Sequence, residues 1–343
     1  MSQKHLLEVQ SLRVSFHTYA GEVQAVRGIS FYLDAGETLA IVGESGCGKS
    51  VSAKALMGLI PAPPGEIKAE SRVLYREGNV LEYDQEQWSA FRGKECAMIF
   101  QDALVALNPT KTVGWQVAEN LVVHGLSKRH EAMKKAVELL EMVGISQPSH
   151  RVKQYPHEFS GGMRQRAMIA MALSCDPKIL IADEPTTALD VTIQAQIIDL
   201  LKRMQDKLNT AILLITHDLG VVADIAKRIA VVYAGEIVEQ GNLEQIFYHQ
   251  RHPYTYSLLR SVPRLDLVQR QELVAIEGMP PDLISPPKGC PFAPRCSWCM
   301  EICQRESPPE VEFSAGHTCR CWLHHPQAPR RDLPFEQGGG ELC

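Results

Sequence analysis

The sequence predicts an α/β fold with a parallel core sheet, and three observations carry the prediction. The apolar run Thr38 to Val42 leads straight into the glycine-rich stretch Gly43-Glu44-Ser45-Gly46-Cys47-Gly48-Lys49-Ser50. A second apolar run, Ile179-Leu180-Ile181-Ala182, ends in the carboxylates Asp183-Glu184. Beyond Ser160, strand-like and helix-like stretches alternate at the spacing of a parallel sheet with crossover helices.

In chain order, Leu6 to Phe16 alternates loosely and reads as a strand, Gly28 to Leu33 as a second, and Thr38 to Val42 as a buried third. Residues 51 to 60 read as the helix after the glycine loop. From about Val113 to Val143 the apolar positions Val117, Leu121, Val137 and Leu140 recur at helical spacing, interrupted at Gly125. A small helical insertion is expected there. A helix to Ser174 follows, then the strand Ile179 to Ala182, a helix Val191 to Leu208, a strand Ala211 to Thr216, a helix Leu219 to Ala226 and a strand Arg228 to Tyr233. Residues 262 to 343 are rich in Pro, Gly and Cys with little periodicity, so a loop-rich appendage is expected, its last dozen residues without order. No internal repeat is visible.

At 343 residues the chain suits about two domains. A net charge of -5 and 45% hydrophobic residues describe a soluble globular protein and argue against a dedicated nucleic-acid binder, which carries a basic footprint. The start, MSQKHLLEVQ, has no signal-peptide apolar core, and no apolar run approaches the ~18 residues of a membrane span. Any membrane-spanning helices are therefore expected from other chains. Of ten cysteines, seven fall between Cys290 and Cys343. In the reducing compartment expected here, they suit metal or cluster ligation better than disulfides.

In Gly43 to Ser50 the glycines let consecutive backbone N–H groups close around phosphates, Lys49 reaches the β- and γ-phosphates, and Ser50 ligates Mg²⁺. One such loop means one nucleotide site per chain. Asp183, closing a buried strand, is placed to hold Mg²⁺, and Glu184 to orient and deprotonate an attacking water. His217 follows the apolar strand Ala211 to Thr216, at the carboxyl edge where α/β sheets gather ligands, and suits a γ-phosphate contact. Ser160 reads as an N-cap, and Gly161, Gly162 and Met163 then expose helix N–H groups as a second anion site. Cys47 sits at a helix N-terminus, which favours its thiolate. Adenine needs an aromatic ring ahead of the loop, and Tyr19 and Phe16 both qualify.

Ser160-Gly161-Gly162-Met163-Arg164-Gln165-Arg166, together with the loop and the Asp183-Glu184 strand, resembles the ATPase subunit of an ABC transporter. The peptide importers of the oligopeptide and dipeptide class are the nearest likeness. It rests on that segment, on Phe100-Gln101-Asp102 followed by Leu107-Asn108-Pro109, on His252-Pro253-Tyr254-Thr255, and on Gly289-Cys290-Pro291-Phe292-Ala293-Pro294-Arg295-Cys296. It covers nearly the whole chain and implies a P-loop ATPase fold over residues 1–261, with a parallel core sheet, an antiparallel β subdomain and a helical insertion at about 110–160. Residues 262–343 then form the Cys-rich extension.

The resemblance further implies that Gln101 senses Mg²⁺ and water, that Asp190 lies on a loop facing a second ATPase, and that the phosphate loop of one subunit meets the Ser160 segment of the other. It implies a heterodimer of ATPases at the cytoplasmic face of the cell membrane, two membrane-spanning permeases, an extracytoplasmic substrate-binding protein, and no nucleic-acid partner. Cys290, Cys296, Cys303 and Cys321 match cysteines associated in this class with a [4Fe–4S] cluster. By chemistry alone four thiolates suit zinc equally, and Cys299 and Cys319 compete as ligands. One departure is Ala103-Leu104-Val105-Ala106, where the class more often has Pro-Met-Thr-Ser, beside the contact with the membrane subunit. The same ATPase type also serves nickel, glutathione and oligosaccharide importers. A soluble non-transport ABC ATPase is a rival reading, but such proteins carry two cassettes or long coiled insertions, which this sequence lacks. A small-molecule kinase does not need the Ser-Gly-Gly helix.

Overall fold

The computed structural model describes residues 5–76, 78–187, 189–261, 276–329 and 333. The chain divides into two compact units, one gathering Glu8–Tyr32, Leu39–Leu74 and Thr216–Cys343, the other Met1–Leu7, Leu33–Thr38 and Tyr75–Ile215. They are called here the loop unit and the carboxylate unit, after the site residues each carries. The expected boundary at residues 261–262 adjoins residues 262–275, which lie outside the described residues, as does most of the final dozen.

In the loop unit the strand Thr38–Val42 is buried along its whole length. It runs parallel to Arg228–Tyr233, with Leu39 opposite Arg228 and Val42 opposite Val231. Burial on both faces is why each reads as an unbroken apolar run. Ala234 and Gly235, both at positive φ, turn the chain tightly into Glu236–Asn242, which pairs antiparallel with Arg228–Tyr233. Next come His317–Arg320 and, at the edge, Glu310–Ser314, also antiparallel. The sequence gives no sign of these last two strands, because Glu310–Ser314 is solvent-facing with only partly buried alternate residues. A separate antiparallel layer contains Leu7–Thr18 beside Gly21–Leu33, with Gly65–Ile67 on the other flank of Leu7–Thr18.

Described residues of the C-terminal segment contribute to the core of this unit. Phe292 is 1% exposed, and its ring packs 5.3 Å from Tyr233 and 5.4 Å from Tyr254. Cys290 and Cys303 belong to the same apolar cluster as Val42, Ile229 and Val231.

In the carboxylate unit, Cys96–Ile99, Ile179–Asp183 and Ala211–Thr216 form parallel neighbours, Met98 facing Ile181 and Asp183 facing Ile215. The helical insertion is built on two longer helices, Val113–Val123 and Arg129–Met142, packed on Gly161–Leu173, followed by the short helix Pro148–Arg151. Gly125 ends the first at φ 66°, the break its sequence position suggests. The helix after the glycine loop is Lys49–Leu56, earlier at both ends than the expected 51 to 60. Gly58, at φ 59°, and the prolines Pro61, Pro63 and Pro64 follow its end. Mixed parallel and antiparallel pairing is thus the architecture of the chain.

Candidate functional site

Two of the loop glycines are required by close backbone approach. A Cβ on Gly43 would lie 2.1 Å from the Val232 carbonyl oxygen, and one on Gly48 would lie 2.2 Å from that of Ala25. Both residues also have positive φ. Gly46, at φ 80°, faces open space. Among the described residues, the backbone N–H groups of Ser45, Gly46 and Gly48 donate to no backbone carbonyl, while that of Lys49 is directed at the Cys47 sulfur. Buried Lys49 folds back over the loop, its Nζ donating to the carbonyls of Gly43 at 2.8 Å and Glu44 at 2.9 Å. Converging N–H donors, a lysine ammonium and the start of the helix Lys49–Leu56, where Ser50 sits in the first turn, form an anion cradle that fits nucleotide phosphates.

Two loop residues behave otherwise than expected. The Glu44 N–H is taken by the Tyr254 hydroxyl at 2.9 Å, and its carboxylate by Arg295. Cys47 is 5% exposed, and burial pushes its thiol pKa up despite the neighbouring Lys49. The expected thiolate is therefore corrected to a protonated, shielded thiol, because desolvation outweighs the helix terminus. Tyr19 is fully exposed in the turn after Leu7–Thr18, whereas Phe16 is half-buried, within 3.3 Å of where a Cβ on Gly65 would stand.

In the carboxylate unit, Asp183 ends its strand 3% exposed. Glu184 takes φ 47°, a left-handed conformation that costs a non-glycine residue roughly 1–3 kcal/mol. Its N–H donates to Ile215 O at 2.8 Å. Its Oε2 accepts from Gln101 Nε2 at 2.8 Å and from the Thr187 hydroxyl at 2.9 Å. The strained backbone and the two donors fix a carboxylate at the strand end, the arrangement a water-orienting base requires. The contribution of Thr187 was not legible in the sequence. His217 is exposed, two residues beyond Ile215.

Ser160 caps the helix Gly161–Leu173, its Oγ accepting the Met163 N–H at 3.3 Å. A Cβ at Gly161 would meet nothing within 4 Å, so that face of the helix N-terminus is bare. Gly162 abuts Ile193, whose own N–H is capped by Asp190 at 2.9 Å. Gln165 Nε2 donates to Pro185 O at 2.5 Å. The Ser160 segment, the Asp190 turn and the chain just past Glu184 are thereby fixed to one another.

Of the six described C-terminal cysteines, Cys290, Cys296, Cys303 and Cys321 line one small cavity, together with His252 and Phe292. Cys299 and Cys319 do not line it. Burial pushes the Cys290 thiol up to about 12 and the Cys321 thiol upward too, so ligation there displaces protons from thiols.

No helix among the described residues is long and apolar enough to cross a membrane. The sequence model of the ABC transporter family matches residues 26–187, and that of the oligopeptide/dipeptide transporter C-terminal region matches residues 238–303. The oligopeptide transport ATP-binding protein OppD of Bacillus subtilis is 56% identical over 96% of this chain and 92% of its own length. The dipeptide transport ATP-binding protein DppD of the same organism is 54% identical over 94% of this chain and 96% of its own. Among solved structures, the dimeric post-hydrolysis state of the ATP-binding cassette MJ0796 bound to ADP and Pi matches with TM-score 0.62 and 26% identity, covering 69% of this chain and 98% of that one. Sequence identity above one half across at least 94% of the chain, together with a cradle and a fixed carboxylate of the matching kind, leads to one conclusion: the chain belongs to the ATP-binding subunits of oligopeptide/dipeptide ABC transporters and is an ATPase.

Proposed function

We propose that this chain hydrolyses Mg·ATP at the cytoplasmic face of the cell membrane to power uptake of oligopeptides or dipeptides. It works with a second, different ATPase subunit, two permeases and an extracytoplasmic binding protein. The observation that carries the reading is the pair of relatives named for oligopeptide and dipeptide transport, each matched along nearly its full length.

Gly43 to Ser50 hold the phosphates through backbone N–H groups, and Lys49 exchanges its two carbonyl partners for phosphate oxygens. Tyr19 stacks on adenine. Ser50, Gln101 and Asp183 are the oxygen donors for Mg²⁺, which when bound supplies charge neutralisation across the phosphates. Glu184, held by Gln101 and Thr187, accepts the proton of the attacking water, and His217 contacts the γ-phosphate. Ser160, Gly161, Gly162 and Met163 present helix N–H groups to the nucleotide of the partner ATPase, with Asp190 beside them. Leu104 and Val105, 58% and 81% exposed on the short helix Ala103–Ala106, suit the permease contact. Uptake of labelled peptides, nickel, glutathione and oligosaccharides in a strain lacking this chain tests the substrate class. Loss of peptide uptake alone is expected; loss of one of the others in its place contradicts it.

Residues 1–261 are read as the ATPase body, with the insertion at about 110–160, and residues 262–343 as an extension stapled to it by a [4Fe–4S] cluster on Cys290, Cys296, Cys303 and Cys321. What supports this reading is that these four cysteines, and neither Cys299 nor Cys319, line one cavity. By thiolate chemistry alone the same four suit zinc equally.

A further inference from the structure

Arg295 immediately precedes Cys296, on the wall of the thiol cavity, yet its guanidinium forms a two-pronged ion pair with Glu44 of the phosphate loop. Nη1 lies 2.7 Å from one carboxylate oxygen and Nη2 3.1 Å from the other. Its remaining donors are fixed by the carbonyls of Glu277 at 2.9 Å and Ile276 at 3.1 Å, and Nη1 also reaches the Tyr233 hydroxyl at 3.2 Å. The Arg295 side chain is 5% exposed and that of Glu44 is 24% exposed.

A second strut reaches the same loop residue from the same cavity. His252 lines the cavity, and its Nδ1 accepts the Tyr254 N–H at 3.0 Å. The buried Tyr254 hydroxyl in turn accepts the Glu44 N–H at 2.9 Å. The side chain of Glu44 is thus held by Arg295, the neighbour of cavity-lining Cys296, and its backbone by Tyr254, whose own N–H is held by cavity-lining His252.

A carboxylate in a loop that receives a triphosphate is a liability. Like charges a few ångströms apart repel most where water is scarce, and a shared guanidinium removes that repulsion. We propose that Arg295 is a positioning residue for nucleotide binding: it neutralises and fixes Glu44, and through this pair the thiol site sets the affinity of the phosphate loop for ATP. The proposal deepens the metal-site reading and rests on it only for what fills the cavity.

The test measures the Kd of Mg·ATP for the full-length chain by fluorescent-nucleotide titration, with iron content and thermal melting recorded for each variant. Arg295→Gln is expected to weaken ATP binding roughly tenfold while iron content stays at the wild-type level. Adding Glu44→Gln to it removes the repelling charge and restores affinity to within about threefold of wild type, a rescue that a merely structural role of Arg295 does not give. Cys296→Ser weakens binding in the wild-type background and adds little to Arg295→Gln. Wild-type affinity in Arg295→Gln, no rescue by Glu44→Gln, or losses that multiply in Arg295→Gln/Cys296→Ser overturn the coupling. If Arg295→Gln does not fold, Arg295→Lys, which keeps the charge but not the fork, carries the same comparison. Absence of iron from the wild-type chain sinks the cluster reading alone, since the affinities still decide the coupling.

Discussion

Replacing Glu184 by Gln separates chemistry from architecture at one position. The carboxylate oxygen Oε2 accepts hydrogen bonds from Gln101 at 2.8 Å and Thr187 at 2.9 Å, and the amide oxygen of a glutamine can accept both. The left-handed φ of 47° is a strain that either side chain bears equally. Stability should therefore change by no more than about 0.5 kcal/mol. What is lost, on the proposed assignment, is the base. General-base catalysis contributes about 10²–10⁴-fold, which corresponds to ~3–5 kcal/mol of barrier. ATP binding at Lys49 is unaffected, so the variant should accumulate as an ATP-bound dimer. The assay is single-turnover hydrolysis in the assembled complex with the partner's own ATP site disabled, since an intact second site masks the loss. As a graded control, Thr187→Val removes one of the two grips on the base without touching a proposed Mg²⁺ ligand, and should cost about tenfold, ~1.4 kcal/mol. Turnover by Glu184→Gln within about threefold of wild type under these conditions would refute the assignment.

Gly48→Ala forces a Cβ to within 2.2 Å of the Ala25 carbonyl oxygen at φ 96°, so the cradle must distort, and nucleotide affinity should fall by at least about a hundredfold; titration giving a wild-type Kd contradicts the geometry. Since burial raises the Cys47 thiol pKa, alkylation read by peptide mass spectrometry should be slow near pH 8 and accelerate only as pH rises beyond the ordinary thiol range. Rapid labelling near pH 7 would restore the thiolate reading. Anaerobically purified protein should be brown, with about four irons and four sulfides per chain. Stoichiometric zinc without iron keeps the staple and removes the cluster, and absence of metal removes both.

Legibility followed burial. Thr38–Val42, Ala211–Thr216 and Arg228–Tyr233 are buried almost throughout, so their apolar runs mark them within a residue of their true ends. Val191–Leu208 is legible because its two ends carry an Asp190 cap and the left-handed Asn209. Glu310–Ser314 and His317–Arg320 are short and amphipathic, and they join the sheet only through the pairing of His317–Arg320 with Glu236–Asn242, which lies far away in sequence. The glycine loop and the Asp183-Glu184 pair are local motifs and could be read directly. By contrast, Arg295 and Glu44 are 251 residues apart, and nothing in either neighbourhood announces the other. Cys47 shows the complementary failure: its helix-terminal position is visible in sequence, whereas its desolvation exists only in the fold.

The central claim is that this ATPase drives peptide import. Its most direct measurement is peptide uptake and ATP hydrolysis recorded together in proteoliposomes containing this chain, its partner ATPase and both permeases, with a peptide-loaded binding protein added on the extracytoplasmic side. Hydrolysis and uptake should rise together when peptide is supplied, and Lys49→Ala in this chain should abolish uptake. Peptide uptake that persists in Lys49→Ala, or hydrolysis indifferent to peptide while uptake is absent, contradicts the claim.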